Sequence, residues 1–152
     1  DKFGVPFYKG QKPWGVKVDI VMPCATQNEI GIKEAKQIIA NGTKYYIEVA
    51  NMPTTEDALN YLMGMDGVIV APSKAVNAGG VCVSGLEMSQ NSQRLSWTAQ
   101  EVDEKLHNAM INIHKHSVEA AEKYGLGYDL VAGANIAGFE KVAEAMMAQG
   151  IY

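Results

Sequence analysis

The sequence predicts an α/β fold, a doubly wound parallel sheet of three or so strands followed by C-terminal helices. Three observations carry this. Short runs rich in β-branched residues alternate with helix-periodic segments through the first 80 residues. The intervening segments are long enough for crossover connections, which select parallel pairing with right-handed crossovers. Beyond Gly80 only helical periodicity is found. The near-continuous apolar character of the first and third runs further predicts strands buried on both faces. Glu48, in the second run, fits that pattern less well.

Residues 16–22 (V-K-V-D-I-V-M) read as the first strand, stopped by Pro23. Residues 31–40 follow as a helix with Ile32, Ala35, Ile38 and Ile39 on one face, ended by Asn41-Gly42 as a C-cap pair. Residues 45–49 (Y-Y-I-E-V) form the second strand. Thr54 is the expected N-cap of a second helix, in which Ala58, Leu59, Leu62 and Met63 share a face and Glu56 and Asp57 suit the helix dipole. Residues 68–71 make the third strand, stopped by Pro72. Residues 81–90 read as helical. Thr98-Ala99-Gln100-Glu101 is a capping box opening a long helix to about Tyr124, with Val102, Leu106, Met110 and Ile113 on its apolar face. A last helix is expected over residues 134–148, with Ile136, Val142, Ala143 and Met146 as core candidates.

The 152 residues carry a net charge of −4, with 20% charged and 47% hydrophobic residues. That describes one globular domain able to build a core, and excludes a disordered tail or a collagen-like chain. With no basic excess, phosphate neutralisation is not supported, so nucleic acid is not an expected partner. No apolar run approaches the ~20 residues of a membrane span, so no membrane partner is expected. Cys24 and Cys82 are too few for a disulfide scaffold, so a reducing, cytoplasmic compartment is expected. The chain opens on Asp1-Lys2-Phe3 with no Met and no signal sequence, and is expected to be a piece of a longer protein.

In an open parallel sheet, ligands bind beyond the carboxyl ends of the strands. The three exits are Pro23-Cys24-Ala25-Thr26-Gln27-Asn28, Ala50-Asn51-Met52-Pro53-Thr54, and the segment from Pro72 through Lys74 and Asn77 to Gly80. Small residues let a ligand approach the backbone, and amides that both donate and accept suit a carboxamide or a ribose. Each Asn or Thr could instead simply cap a turn; three such loops on one sheet edge favour a site. Ser84, expected one turn into the helix opened by Gly79-Gly80, could hold a carboxylate, or could be packed among small residues. Cys24 reads as a buried small hydrophobe, with a reactive thiol as the alternative. His107, His114 and His116 read as solvated, with no metal-ligand spacing around them. Gly125-x-Gly127 lacks a third glycine and follows a helix, so it is no dinucleotide fingerprint.

Several long segments carry a family resemblance: Pro23-Cys24-Ala25-Thr26-Gln27-Asn28-Glu29, Ala50-Asn51-Met52-Pro53-Thr54-Thr55, the stretch from Ala71 to Val81, Ser84-Gly85-Leu86-Glu87-Met88-Ser89-Gln90-Asn91, and Gly133-Ala134-Asn135-Ile136-Ala137-Gly138-Phe139. Together they resemble the hexameric bacterial glutamate dehydrogenases, within the Glu/Leu/Phe/Val dehydrogenase superfamily, over nearly the whole chain. The resemblance implies that residues 1–80 are the second half of a Rossmann-like nicotinamide-dinucleotide-binding domain. Residues 81–152 would be a helical C-terminal region packing on it and reaching toward a substrate domain. It places Asn51 and Asn77 by the nicotinamide and its ribose, and Ala25 and Thr26 along the adenosine side of the NAD or NADP cleft. Val81 and Ser84 would face the glutamate side chain, with the Ser84 hydroxyl on its distal carboxylate.

The resemblance also implies that the catalytic lysine and aspartate, the carboxylate-gripping lysines and the glycine-rich fingerprint lie upstream, so no residue here is assigned to proton transfer. The implied reaction sends a hydride from the α-carbon of L-glutamate to the nicotinamide. Water then attacks the iminium, giving 2-oxoglutarate and ammonia. The parent enzyme would be a homohexamer, and the 152 residues alone catalytically silent. Two other readings stay open: a branched-chain or aromatic amino-acid dehydrogenase, and a non-catalytic nucleotide-binding module.

Overall fold

A computed structural model describes residues 3–150; the Asp1-Lys2 start of the chain lies outside them. The sheet is three-stranded and parallel in the order β1-β2-β3, formed by β1 (Ile20–Val21), β2 (Tyr45–Ile47) and β3 (Ile69–Ala71). The helices are α1 (Ile32–Ala40), α2 (Glu56–Met63), the single turn α3 (Ser73–Val76), α4 (Ala78–Gln93), α5 (Ala99–Lys123) and α6 (Leu130–Gln149). A short 3-10 turn, Pro13–Gly15, precedes β1. The expected α/β class and strand order in the chain both hold.

The strand register explains where the core sits. Val21 pairs with Tyr46 and Tyr46 with Val70, so these three side chains form one row on one face. That row is buried under Ala35 and Ile38 of α1 and Ala58 and Leu62 of α2, with Ile30 completing the cluster. Each of the larger aliphatic side chains, Ile30, Ile38 and Leu62, contributes about 1.5–3 kcal/mol when taken fully out of water. The alternate row, Ile20–Tyr45–Ile69, lies on the other face, and there Ile20 and Tyr45 are 53% and 41% exposed. Burial on both faces is therefore corrected for β1. Its strand is also shorter than the apolar run, because Val16 and Val18 find no partner strand and are exposed.

Helix ends show where local chemistry and tertiary context diverge. Helix α1 starts with Glu34 Oε2 accepting the Gly31 N–H at 3.1 Å and stops at Asn41, followed by Gly42 at φ +81°. The capping box forms as expected: Glu101 N–H donates to Thr98 Oγ1 at 3.2 Å, and Thr98 N–H to Glu101 Oε2 at 2.7 Å. The N-cap of α2 is Thr55, not Thr54; Thr54 is buried, its hydroxyl 2.7 Å from the Tyr46 hydroxyl. Helix α6 starts at Leu130, four residues earlier than expected, because the Asp129 carboxylate accepts the Ala132 N–H at 2.9 Å.

Two helices then pack back to back. The α5–α6 contact is lined by the small buried residues Ser117, Ala120, Ala121 and Gly133. That contact buries the start of α6, so the expected core positions Val142 and Met146, farther along, are 58% and 63% exposed. Leu106 and Met110, expected on one apolar face of α5, both approach Gly79 of α4. His107 and His116 are exposed; His114 is exposed too, but its Nε2 lies 2.7 Å from the Tyr128 hydroxyl, so it is not free in solvent.

Candidate functional site

The carboxyl ends of all three strands are tied to one another by hydrogen bonds. Val49 and Ala50 N–H groups both donate to the Pro23 carbonyl, at 3.2 and 2.9 Å, joining the β2 exit to the β1 exit. Asn28 N–H donates to Met52 O at 3.0 Å, Ile30 N–H to Pro53 O at 2.9 Å, and Thr55 N–H back to Ile30 O at 2.9 Å. Asn28 and Met52 both sit in the left-handed region, at φ +52° and +51°. Asparagine tolerates that conformation; for methionine it costs on the order of 1 kcal/mol and needs its surroundings to enforce it. Next to this loop lies the buried Tyr46–Thr54 hydroxyl pair. Burial pushes the Tyr46 hydroxyl well above its ordinary value of 10.0, the Thr54 hydrogen bond opposes this, and the charges of Glu48 and Glu29 add to it.

The β3 exit joins the β2 exit through a side-chain amide. Asn77 caps α4, and its Nδ2 donates to Val49 O at 3.1 Å and to Asn51 Oδ1 at 2.7 Å. The two asparagines named from the sequence are therefore in direct contact. Asn77 is half-buried and Asn51 exposed. With Oδ1 taken by Asn77, the Asn51 amide nitrogen makes no hydrogen bond among the described residues, leaving two N–H donors for a ligand. Ala25 and Thr26 lie on the β1 exit and are exposed, without a hydrogen bond to the asparagine pair among the described residues.

Asn77 begins α4, so the helix carries the site onward. At 100° per residue, positions 77, 81, 84 and 88 fall in one narrow stripe. Val81 and Met88 are 79% and 71% exposed, and Ser84 lies between them, also exposed. Ser84 stands about 10 Å along the axis from Asn77, nearly two turns into α4 because the helix opens at Ala78. Its hydroxyl donates to Gly80 O at 3.2 Å, a local bond that a rotating hydroxyl can exchange for a ligand. Cys24 is exposed rather than buried, and its thiol donates to Met22 O at 3.2 Å.

Two further residues belong here to which the sequence alone assigns no individual role. Glu48 is 4% exposed and lies just past β2; one carboxylate oxygen accepts the Ser73 N–H at 3.2 Å. Its signal in the sequence was a charge inside an apolar run. Lys74 of α3 donates to Asn135 Oδ1 of α6, linking the β3 exit to the last helix. Nothing in spacing could have announced that contact, which joins positions 61 apart. No cluster of metal-binding side chains occurs among the described residues.

A family model described as Glutamate/Leucine/Phenylalanine/Valine dehydrogenase matches residues 2–150. The chain is similar to an NAD-specific glutamate dehydrogenase of Clostridium symbiosum, 70% identical over 151 residues, which cover 99% of this chain and 34% of that protein. It is similar to an NADP-specific glutamate dehydrogenase of Haemophilus influenzae, 51% identical over 157 residues, covering 100% of this chain and 34% of that one. Among solved structures, a glutamate dehydrogenase matches with a TM-score of 0.95 and 70% identity, over 99% of this chain and 33% of that chain. The chain thus spans about a third of the length of the relatives it matches.

Proposed function

Because the chain belongs to the glutamate/leucine/phenylalanine/valine dehydrogenase family, we propose that it forms the nicotinamide-side wall of the cofactor cleft in a glutamate dehydrogenase. That enzyme would oxidatively deaminate L-glutamate to 2-oxoglutarate and ammonia with NAD or NADP. The observation that carries this is the Asn51–Asn77 pair, which bridges the β2 and β3 exits and leaves an exposed amide donor at the strand ends.

The residues present fit a nicotinamide cofactor. Its carboxamide and ribose offer carbonyl and hydroxyl groups, which an amide N–H recognises without a charge. Ala25 and Thr26, small and exposed, leave room along the β1 exit. When bound, the cofactor supplies the hydride-accepting ring. The chain's own residues position the reactants, through the Asn51 amide and through Ser84, whose O–H would donate to the distal carboxylate of glutamate. A hydrogen bond to a carboxylate is about twice as strong as the Gly80 bond it replaces. Holding two reactants in register contributes rate through orientation, with no proton moved by these side chains.

Ser84 also favours glutamate over the leucine- and valine-type substrates of the same family, since an apolar side chain would leave its hydroxyl unmatched. In this reading residues 1–80 are the second half of the dinucleotide-binding domain and residues 81–152 the helical region reaching toward the substrate domain. A cytoplasmic setting and a homohexamer complete this reading, the hexamer supported by the similar hetero-hexameric glutamate dehydrogenase structure. The test is steady-state turnover by the protein carrying this chain, with glutamate and leucine against NAD and NADP. Glutamate is expected to exceed leucine by roughly 10- to 100-fold in kcat/KM, the size of one hydrogen bond to a charged group. Preferential turnover of leucine would overturn the substrate assignment.

A further inference from the structure

Among the described residues, Glu48 is the one charged residue in the buried class, at 4% exposure, and it is in no ion pair. Its hydrogen-bond partner is the backbone N–H of Ser73, the first residue of α3. A carboxyl group tucked against one backbone N–H gives the sheet end little stability beyond what an apolar residue of similar volume would supply. What it supplies is geometric. Glu48 N–H also donates to Ala71 O at 3.0 Å, so residue 48 is held to β3 both by its backbone and by its side chain. Four residues beyond Ser73, Asn77 returns its Nδ2 to Val49 O, the residue next to Glu48. Glu48–Ser73 and Asn77–Val49 are thus two struts between the same two strand exits, with α3 as the rigid segment between their far ends. The first strut fixes where α3 begins, and therefore where the Asn77 amide arrives.

We infer that Glu48 is a positioning residue for the cofactor: through the Ser73 N–H it sets α3, and through α3 it sets the Asn77–Asn51 amide pair. This rests on the nicotinamide reading of that pair and goes beyond it by naming what holds the pair in place.

The experiment is calorimetric titration with NAD and NADP of the protein carrying this chain, as wild type, Glu48→Gln and Glu48→Met. Gln keeps an acceptor oxygen of the same reach, whereas Met keeps the volume and loses the acceptor. Cofactor Kd is expected to stay within about twofold in Glu48→Gln and to rise about tenfold in Glu48→Met, the size of one lost hydrogen bond. In an Asn77→Ala background, Glu48→Met is expected to add no further loss, because the two act in series. Unchanged binding in Glu48→Met, equal loss in Glu48→Gln, or full additivity with Asn77→Ala would each overturn the positioning role. Should Glu48→Met not fold, Ser73→Pro removes the donor instead, at a helix position that accepts proline; wild-type cofactor binding in that variant would overturn the role equally. If the wild-type protein binds neither cofactor, the nicotinamide reading itself falls; if it binds and the variants bind alike, only the role of Glu48 falls.

Discussion

Replacing Gly133 by alanine puts a methyl group at the closest approach of α5 and α6. Built on the backbone, the new Cβ lies 1.9 Å from the Ser117 carbonyl oxygen, 2.8 Å from its carbonyl carbon and 3.1 Å from the Ala121 Cβ. A carbon next to a carbonyl oxygen needs roughly 3.3 Å, so the helices must part by more than about 1 Å. The obstacle is backbone, and no rotamer change relieves it. Parting the helices also loosens the contacts of Ala120, Ala121 and Leu130, since a gap of about 0.5–1 Å forfeits a quarter to a half of each dispersion well. Overpacking of this kind costs about 3 kcal/mol, offset by about 1 kcal/mol because alanine favours helix over glycine. The expected net loss is therefore about 2 kcal/mol, or about a 1 M fall in urea midpoint at a slope of about 2 kcal/mol/M. Gly138→Ala, on the same helix with no atom within 4 Å of the new Cβ, is the control. It should gain up to about 1 kcal/mol. Urea unfolding followed by circular dichroism reads both, and a Gly133→Ala variant as stable as wild type would refute the close-approach argument.

Further outcomes follow from the site and its supports. Tyr46→Phe leaves the buried Thr54 hydroxyl without its partner and should cost about 1–3 kcal/mol in urea unfolding; adding Thr54→Val should recover much of it. Asn77→Ala removes hydrogen bonds to Val49 and Asn51, and should weaken cofactor binding by roughly tenfold in a calorimetric titration, as for one or more lost polar contacts. Ser84→Ala should leave unfolding within about 0.5 kcal/mol of wild type while raising the KM for glutamate, because the exposed hydroxyl bonds only its own helix. The Lys12 hydrogen bond holds the Glu34 carboxyl below its ordinary value of 4.5. Its contribution is therefore full above that value and lost as pH falls through the lower folded-state value. The melting-temperature gap between wild type and Glu34→Gln should be present at about pH 7 and shrink steadily as the pH falls below the ordinary carboxylate value; a gap unchanged in acid would contradict the pairing.

The parts of the fold legible in the sequence were those set by local chemistry. The Thr98–Glu101 box and the Asn41-Gly42 stop each need only neighbours in the chain, and both formed where expected. Parallel pairing was legible because the helix-periodic segments between strands are long enough for crossovers. What was not legible depended on distant partners. Thr54 looked like a cap until Tyr46 claimed its hydroxyl, and Val142 and Met146 looked like core because α6 is apolar all round. The exposed Ile20–Tyr45 row could not be told from a buried one by composition, since burial depends on what covers the face. At the site, the asparagines were visible as amide-bearing loop residues. Their contact was not visible, nor was the strut from Glu48, because each joins residues 25 or more apart.

The central claim is that these strand exits position a nicotinamide cofactor against glutamate without themselves moving protons. Its most direct test is glutamate-dependent reduction of NAD and NADP, followed at the absorbance of the reduced cofactor, for residues 1–152 alone and for the longer protein that carries them. Turnover by the longer protein, reduced in Asn77→Ala and Ser84→Ala, and none by residues 1–152 alone is the expected result. Turnover by the 152 residues alone, or a longer protein indifferent to both substitutions, would contradict it.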